Sequence, residues 1–232
     1  MIDKYNSSYY KNNNQDLDRI GNLFYKNIIK NNFEFKTYLD FGCGVGYLLK
    51  KIEKIKGLNK IYGFEINDFA IKKSKENTRI SEIHNNLDNI DNKLDLISML
   101  HVIEHINDSQ LSFLLKKIRT KLKKKNGRII ISTPAKNGLA HKIKKKNWIG
   151  FKDPTHINLK NYEDWIRYFT REKFEVIASF SDGLWDFPYG QYINMFKYIK
   201  IYFYMFFQIF FGKIFLNYNE GETFIFILKD ND

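Results

Sequence analysis

A set of three glycines at alternate positions is the stretch of this sequence best suited to hold a ligand. Gly42, Gly44 and Gly46 follow Asp40, and this spacing lets a tight turn adopt positive φ angles and lets a ligand approach the backbone. The dinucleotide pattern G-x-G-x-x-G needs a glycine at position 47, which is Tyr47, and a P-loop ending is absent. A carboxylate ahead of the glycines suits a ligand with an ammonium group. A strand-to-helix turn without a ligand is the alternative.

A second acidic residue, Glu65, ends a predicted strand about twenty residues beyond the glycines. An ionised carboxylate at such a strand end can accept hydrogen bonds from both hydroxyls of a ribose. Capping of the helix that begins near Asn67 is the competing role for Glu65.

Three histidines supply groups that can take a proton from a substrate hydroxyl. His156 ends the segment 153–156 after the predicted fifth strand, and His101 and His105 follow the predicted fourth strand. An imidazole has an unperturbed pKa of about 6.5, so it can act as a general base at neutral pH. Ordering of a loop through the backbone is the alternative for His156. No metal site is predicted, because these histidines and Asp153 come from separate parts of the chain.

The elements that position these residues alternate between strands and helices. Helical spacing of apolar residues and short apolar runs distinguish the two. The predicted helices are residues 15–30, 47–52, 67–74, 109–122, 162–169 and 201–211. The predicted strands are residues 36–39, 60–65, 83–88 with its exit, 94–99, 128–132, 173–180 and 223–228. The candidate residues follow the carboxyl ends of strands, where open parallel sheets bind ligands.

These motifs resemble those of the class I S-adenosylmethionine (SAM)-dependent methyltransferases. Their first motif reads D-x-G-x-G-x-G, as residues 40–46 do, and their second motif is an acid at the end of the second strand, as Glu65 is. Residues 102–106 resemble the V-hydrophobic-E-H-hydrophobic pattern of small-molecule and lipid O-methyltransferases. The resemblance covers roughly residues 15–228. It implies an α/β fold with a Rossmann-like, doubly wound, seven-stranded, mostly parallel sheet, in which strand seven runs antiparallel between strands five and six.

The resemblance also implies that SAM is the cofactor, held by Asp40, the three glycines and Glu65. It adds three further positions to the cofactor-binding set. Asp88, or Asn86 beside it, would accept a hydrogen bond from the adenine amine. Leu100, at the end of the fourth strand, is assigned to the cofactor site as well. Tyr10 or its neighbour Tyr9 would belong to a lid that closes over the cofactor.

The expected acceptor is a small molecule or a glycan. Residues 153–156, ahead of the helix at 162–169, resemble a subgroup of bacterial methyltransferases, many of them encoded with cell-surface glycan enzymes. This implies O-methylation of a sugar or polysaccharide precursor, with His156, His105 or His101 as the catalytic residue. Methylation of a quinone or lipid headgroup at a membrane, RNA methylation and a non-catalytic SAM-binding module are the alternatives. The RNA alternative lacks the Asn/Asp-Pro-Pro-Tyr/Phe tetrad of many amino-directed enzymes.

Length and composition favour a single methyltransferase domain over residues 1–232. The 232 residues are 44% hydrophobic, which is enough for a sizeable core. The formal charge of +12 comes from lysines scattered along the chain, which favours a solvated basic surface over a nucleic-acid site. With Cys43 as the single cysteine no disulfide framework can form, and the N-terminus lacks the apolar core of a signal peptide. A cytoplasmic protein is therefore expected.

Residues 185–216 form an aromatic-rich insertion between the last two predicted strands. The run at 201–211 is far shorter than the roughly 20 apolar residues of a membrane span, and lysines flank it at positions 200 and 213. The insertion is expected to be a helical lid or a homodimer surface, or else an interfacial helix that contacts a membrane peripherally through residues 198–215. Residues 1–32 are expected to form an N-terminal lid and helix.

Overall fold

The computed structural model describes residues 16–90, 93–185 and 195–231, which alternate between strands and helices. The strands are β1 (Thr37–Phe41), β2 (Lys60–Phe64), β3 (Glu82–His84), β4 (Leu96–Leu100), β5 (Arg128–Pro134), β6 (Phe174–Phe180) and β7 (Thr223–Asp230). The α-helices are α1 (Ile20–Asn32), α2 (Tyr47–Ile52), α3 (Asp68–Asn77), α4 (Asp108–Lys121), α5 (Leu139–Lys144), α6 (Ile149–Lys152), α7 (Tyr162–Arg171) and α8 (Ile199–Phe211).

The strands form one seven-stranded sheet in the order β3-β2-β1-β4-β5-β7-β6. β1 to β5 pair in parallel, and β7 is antiparallel to both of its neighbours. Asp40 in β1 pairs with Gly63 of β2 on one side and with Ser98 of β4 on the other. This order confirms the predicted mostly parallel sheet with strand seven between strands five and six. The carboxyl ends of the parallel strands therefore lie along one edge of the sheet.

Helices cover both faces of the sheet, as the alternating contacts of β5 show. Ile129 and Ile131 belong to one core cluster with residues of α4 and α7, whereas Ile130 belongs to a second cluster with residues of α1 and α2. A parallel sheet that is covered on both faces needs apolar side chains on both. This explains why the strands appear in the sequence as continuous apolar runs and not as alternating patterns.

The N-terminal helix differs from the prediction in its start and in its buried face. α1 begins at Ile20 and not at residue 15, because Arg19 has extended backbone angles, with φ −80° and ψ 154°. Leu17 and Ile20 belong to the apolar spacing on which that prediction depended, yet they are 56% and 51% exposed. The face that packs on the sheet is centred on Phe24 and Ile28.

The lysine-rich stretch between β5 and α7 contains helices that were not among those predicted from the sequence. It contains α5 and α6, joined by a short 3-10 helix. Its buried Trp148 packs in a small core cluster of its own with Ala140 and Leu216. The basic composition of the stretch hides these apolar anchors, because the lysines lie between them in the sequence.

α8 confirms the helix predicted in the aromatic insertion, and it packs against α1. The side-chain amides of Asn27, Asn31 and Asn32 donate to backbone carbonyls at the C-terminal end of α8 over 2.6–2.7 Å. Such carbonyls have no partner inside a helix, so the three amides stabilise the helix end. The outer side of α8 exposes four aromatic rings, those of Phe203, Phe206, Phe210 and Phe211. Among the described residues, the search for a helix with the length and apolarity to cross a membrane finds none.

Candidate active site

The glycine turn lies at the carboxyl end of β1 and leads into α2. Gly42, Gly44 and Gly46 have φ angles of 77°, 53° and 84°, which is the left-handed region that favours glycine. The N–H group of Gly42 donates to the Phe64 carbonyl over 2.8 Å and ties the turn to β2. Packing adds a second requirement, since a Cβ atom on Gly42 would lie 2.6 Å from a methyl carbon of Val102. The turn therefore lies against the segment that follows β4.

Asp40 is a buried carboxylate just before the turn. Only 4% of it is exposed, and its Oδ1 accepts a 2.6 Å hydrogen bond from the Ser98 hydroxyl. Burial raises the pKa of Asp40 to about 7, an increase that the Ser98 hydrogen bond opposes and the nearby charge of Glu65 reinforces. Ser98 is a neutral donor. A ligand ammonium group would therefore stabilise the ionised form of Asp40 more than its present neighbour does.

Glu65 follows β2 and connects it to the glycine turn. One carboxylate oxygen accepts a 2.9 Å hydrogen bond from the Gly44 N–H, and the other accepts from the N–H groups of Ile66 and Asn67 over 2.8 and 3.0 Å. The competing role as a helix cap belongs to Asn67 instead, whose side chain accepts from the N–H of Ala70 at the start of α3. Glu65 thus fixes the turn at the position predicted for a ribose-binding acid.

The other predicted cofactor residues lie in different surroundings. Leu100 is the half-buried last residue of β4, at the same edge as the glycine turn. Asp88 is exposed and forms a 2.9 Å ion pair with Lys117 of α4, and the Asn86 side chain accepts from the N–H of Asp88. Tyr10 lies outside the described residues, as does Tyr9. The assignment of Asp88, Leu100 and Tyr10 to the cofactor stays a prediction.

His101 directly follows β4 and has an unusual backbone. Its φ of 55° lies in the left-handed region, which is uncommon for a residue other than glycine. Its N–H donates to the Ser132 carbonyl of β5 over 3.0 Å. Its ring lies between Tyr25, whose hydroxyl is 3.3 Å from Nε2, and Glu104, whose Oε1 is 3.3 Å from Nδ1. The side chain is 44% exposed, so an acceptor can reach it.

The structure brings His105 and His156 together from parts of the chain that the sequence analysis treated as separate. Their ring centroids lie 4.9 Å apart. Nδ1 of His105 lies 2.9 Å from the Thr155 hydroxyl, and Nδ1 of His156 lies 2.9 Å from the Gly150 carbonyl. Burial lowers the pKa of His105, so this imidazole is neutral at pH 7. These two predicted catalytic residues therefore share one cluster.

Three buried groups near the histidines were not predicted as site residues: Tyr25, Glu104 and Asp182. Glu104 is the acid of the Glu-His pair in residues 102–106, so its signal was present in the sequence. Asp182 follows the carboxyl end of β6, and an acidic residue after a strand is a pattern that the sequence also shows. Burial raises the pKa of Asp182 to about 6. Burial likewise raises the pKa of Tyr25, which keeps the phenol neutral. Tyr25 has no sequence signal beyond its place in a helix.

Comparison with known proteins connects this site to one family. A family model described as a methyltransferase domain matches residues 11–179, which is more than half of the chain. A search of curated protein sequences finds no match.

Solved structures share the fold at low sequence identity. The plantazolicin methyltransferase BpumL, solved with a monoazolic desmethylPZN analog and SAH, is 15% identical with a TM-score of 0.63 over 97% of this chain and 89% of its own. A SAM-dependent methyltransferase from Clostridium acetobutylicum ATCC 824 is 14% identical with a TM-score of 0.60 over 99% of both chains. The mitomycin 7-O-methyltransferase MmcR is 13% identical with a TM-score of 0.62 over 91% of this chain. This chain covers 53% of MmcR, about half its length.

Proposed function

Since this chain belongs to the methyltransferase domain family, we propose that it methylates a hydroxyl oxygen of a sugar or cell-surface glycan precursor. Its cofactor is SAM, which supplies a methyl group on a positively charged sulfur. The residues of the chain then have three tasks. They hold the cofactor, they orient the acceptor oxygen towards the methyl carbon, and they receive or release the acceptor proton.

Asp40, the glycine turn and Glu65 are the residues that would hold SAM. Asp40 offers a buried carboxylate that a cationic group would stabilise in its ionised form. Glu65 accepts three backbone hydrogen bonds, and a carboxylate has about four acceptor positions, so it keeps capacity for a ribose hydroxyl. The positive φ angles at Gly42, Gly44 and Gly46 favour glycine, and the lack of side chains there lets a ligand approach the backbone. The donor and acceptor set of this edge therefore fits the cofactor.

The observation that carries the O-methylation proposal is the grouping of His101, His105 and His156 beside the cofactor turn. Val102, between the first two histidines, lies against Gly42 in that turn. The acceptor would therefore meet imidazole groups next to the residues that hold SAM. A hydroxyl loses its proton when its oxygen is methylated, and a histidine is the side chain best suited to assist this near pH 7.

A direct test is to follow SAH formation from SAM with acceptors of four classes. The panel contains nucleotide sugars, quinols, phospholipid vesicles and RNA. SAH formation with hydroxylated sugars alone supports the proposal, and formation only with another class contradicts it. Tight SAM binding without SAH formation in any class would favour a non-catalytic SAM-binding module. Glu65→Ala serves as a control that should lower SAM binding with every acceptor.

A quinone or lipid headgroup is the second candidate acceptor, favoured by the outer face of α8. Phe203 and Phe206 on this face are 58% and 52% exposed, and rows of exposed aromatic residues are typical of contact surfaces. α8 also lies close to the site, because Gln208 donates to the Ser181 carbonyl just after β6. This position fits a lid over a soluble acceptor as well as a contact that draws an acceptor from a membrane. Vesicle flotation separates the two.

A further inference from the structure

We propose that Glu104, His105 and His156 bind a divalent first-row transition-metal ion, with the acceptor hydroxyl as an additional ligand. The three side chains each bring a ligand atom to within 4.8 Å of the others. One carboxylate oxygen and two imidazole nitrogens form a donor set that suits zinc and its neighbours in the first transition row. The role given to the acceptor rests on the proposed methyl transfer, whereas the ion site itself does not.

The state of Glu104 is the first observation that points to a cation. The residue is fully buried, and neither carboxylate oxygen has a hydrogen-bond partner among the described residues. Nδ1 of His101 lies 3.3 Å from Oε1, but the geometry is not that of a hydrogen bond. A buried carboxylate without donors is strongly unfavourable unless a positive charge compensates it. An ion held between Glu104 and the two imidazoles would supply that charge.

The orientation of the two imidazoles is the second observation. The Thr155 hydroxyl donates to Asp153 Oδ1, so its lone pair accepts a hydrogen from Nδ1 of His105. The Gly150 carbonyl, which can only accept, receives a hydrogen from Nδ1 of His156. In the neutral form of each ring, the lone pair therefore lies on Nε2. Metal-binding histidines are usually oriented in this way, with the second ring nitrogen donating to a carbonyl or another acceptor.

The distances allow the site to close around an ion with a small movement. A tetrahedral zinc ion with bonds of roughly 2.0–2.2 Å has ligand atoms about 3.3 Å apart, so the present separations need to shrink by at most about 1.5 Å. Asp153 Oδ2 lies 3.9 Å from Nε2 of His156. Magnesium is a poor fit, because it prefers oxygen ligands and this set contains two nitrogens.

An ion at this position would act on the acceptor and not on the cofactor. With His105 and His156 as ligands, the ion would take the place of a histidine base: coordination would lower the pKa of the acceptor hydroxyl, and its proton would leave to the solvent. The oxygen forms a bond to the methyl carbon while the carbon–sulfur bond breaks. The electron pair of that bond stays on sulfur, which becomes the neutral thioether of SAH.

The test is a calorimetric titration of the chelator-stripped full-length chain with Zn²⁺, with Mn²⁺ and Mg²⁺ for comparison. We expect one zinc ion per chain and weaker binding of the other two ions. His105→Gln and His156→Gln should each weaken zinc binding at least about 100-fold. Thr155→Val should weaken it by about 10-fold or less, because it removes the hydroxyl acceptor of His105 Nδ1 and keeps the Thr155 carbonyl, which lies 3.2 Å from the same nitrogen. His141→Gln is the matched control, since His141 stacks on Trp148 outside the cluster and should leave zinc affinity unchanged.

Two results would overturn the ion site. One is the absence of saturable zinc binding, and the other is equal binding by the His105→Gln and His141→Gln proteins. Thermal unfolding gives an independent measurement, because zinc should raise the Tm of the wild type and not that of Glu104→Gln. An equal rise in both proteins would also contradict the site.

The acceptor role has its own outcome. Turnover that is unchanged after removal of the ion would overturn that role and leave the ion site in place. Failure of the proposed methyl transfer would give another result: zinc would still bind, and no acceptor would yield SAH.

Discussion

Replacement of Asp40 by asparagine should make the stability of the protein less dependent on pH. The carboxylate is buried, and its hydrogen bond from Ser98 is to a neutral donor. An asparagine keeps the side-chain oxygen that accepts this bond and removes the group that ionises. The variant therefore isolates the free energy of holding a buried negative charge in the protein without its cofactor.

The size of the effect follows from the pKa of Asp40, which is about 7 in the folded protein against an ordinary value of 3.8. Between these pH values the folded state keeps a proton that the unfolded chain has lost. The free energy of unfolding is therefore unaffected below about pH 4, falls as the pH rises towards 7 and levels off above 7. A difference of about 3 pKa units corresponds to about 4 kcal/mol in full. From pH 5 to pH 9 the wild type should lose roughly 3 kcal/mol relative to Asp40→Asn.

Urea unfolding of both proteins at pH 5, 7 and 9, without SAM, measures this difference. Other titrating groups are shared and cancel in the comparison. Asp88→Asn is the matched control, because it removes an exposed carboxylate whose ion pair with Lys117 should contribute less than about 1 kcal/mol. A stability difference between Asp40→Asn and the wild type that stays constant across this pH range would refute the reasoning.

SAM affinity should also depend on pH through Asp40, but it should rise with pH where the stability of the protein without SAM falls. An ammonium group favours the ionised form of Asp40, so binding to the wild type should release a proton below about pH 7. SAM affinity should therefore rise with pH up to about 7 and then become constant. Asp40→Asn should bind SAM more weakly and without this pH dependence. Calorimetry in buffers with different ionisation enthalpies measures the proton release directly.

Three other substitutions test the remaining parts of the site. Glu65→Ala should weaken SAM binding by roughly 1–3 kcal/mol in a calorimetric titration, through loss of a charged acceptor, and unchanged affinity would remove Glu65 from the cofactor site. His156→Ala should leave SAM affinity nearly intact and lower turnover by about 10²–10⁴-fold in an SAH assay, whereas wild-type turnover would leave His156 with a loop-ordering role. If α8 is a lid, joint replacement of Tyr202, Phe206 and Phe210 by serine should lower acceptor turnover and spare SAM binding. Salt-sensitive flotation of the wild type with anionic vesicles, lost in that variant, would contradict the lid and favour a lipid acceptor.

The geometry of the turn proposed to hold the cofactor could be predicted from the sequence because it is local. Residues 40–46 form one turn, and Glu65 needs only the next parallel strand to reach it. The register of β1 and β2 then brings the Gly44 N–H to 2.9 Å from the Glu65 carboxylate. The antiparallel place of strand seven between strands five and six followed from the family resemblance, and the structure confirms it.

The grouping of the histidines proposed to act on the acceptor could not be predicted in the same way, because it depends on contacts between distant segments. His105 meets His156 only because the N–H groups of Ile157 and Asn158 both donate to the Glu104 carbonyl, which ties the later loop to the segment after β4. Nothing in the spacing of these residues indicates that pairing. The start of α1 was also wrong, since apolar spacing continued to Leu17 while the helical backbone angles did not.

The position of β7 has a consequence for how the protein is made on the ribosome. Within the part of the chain that the structure describes, β6 pairs only with β7, and β7 is the last of the three strands β5, β6 and β7 to be synthesised. During translation, β6 therefore has no strand to pair with until residues 223–230 have left the exit tunnel. Pairing between segments far apart in the chain is slow, and unpaired strand edges are prone to aggregation. A ribosome that stalls before residue 223 would leave a nascent chain with a nearly complete cofactor turn and an open sheet, a natural substrate for chaperones.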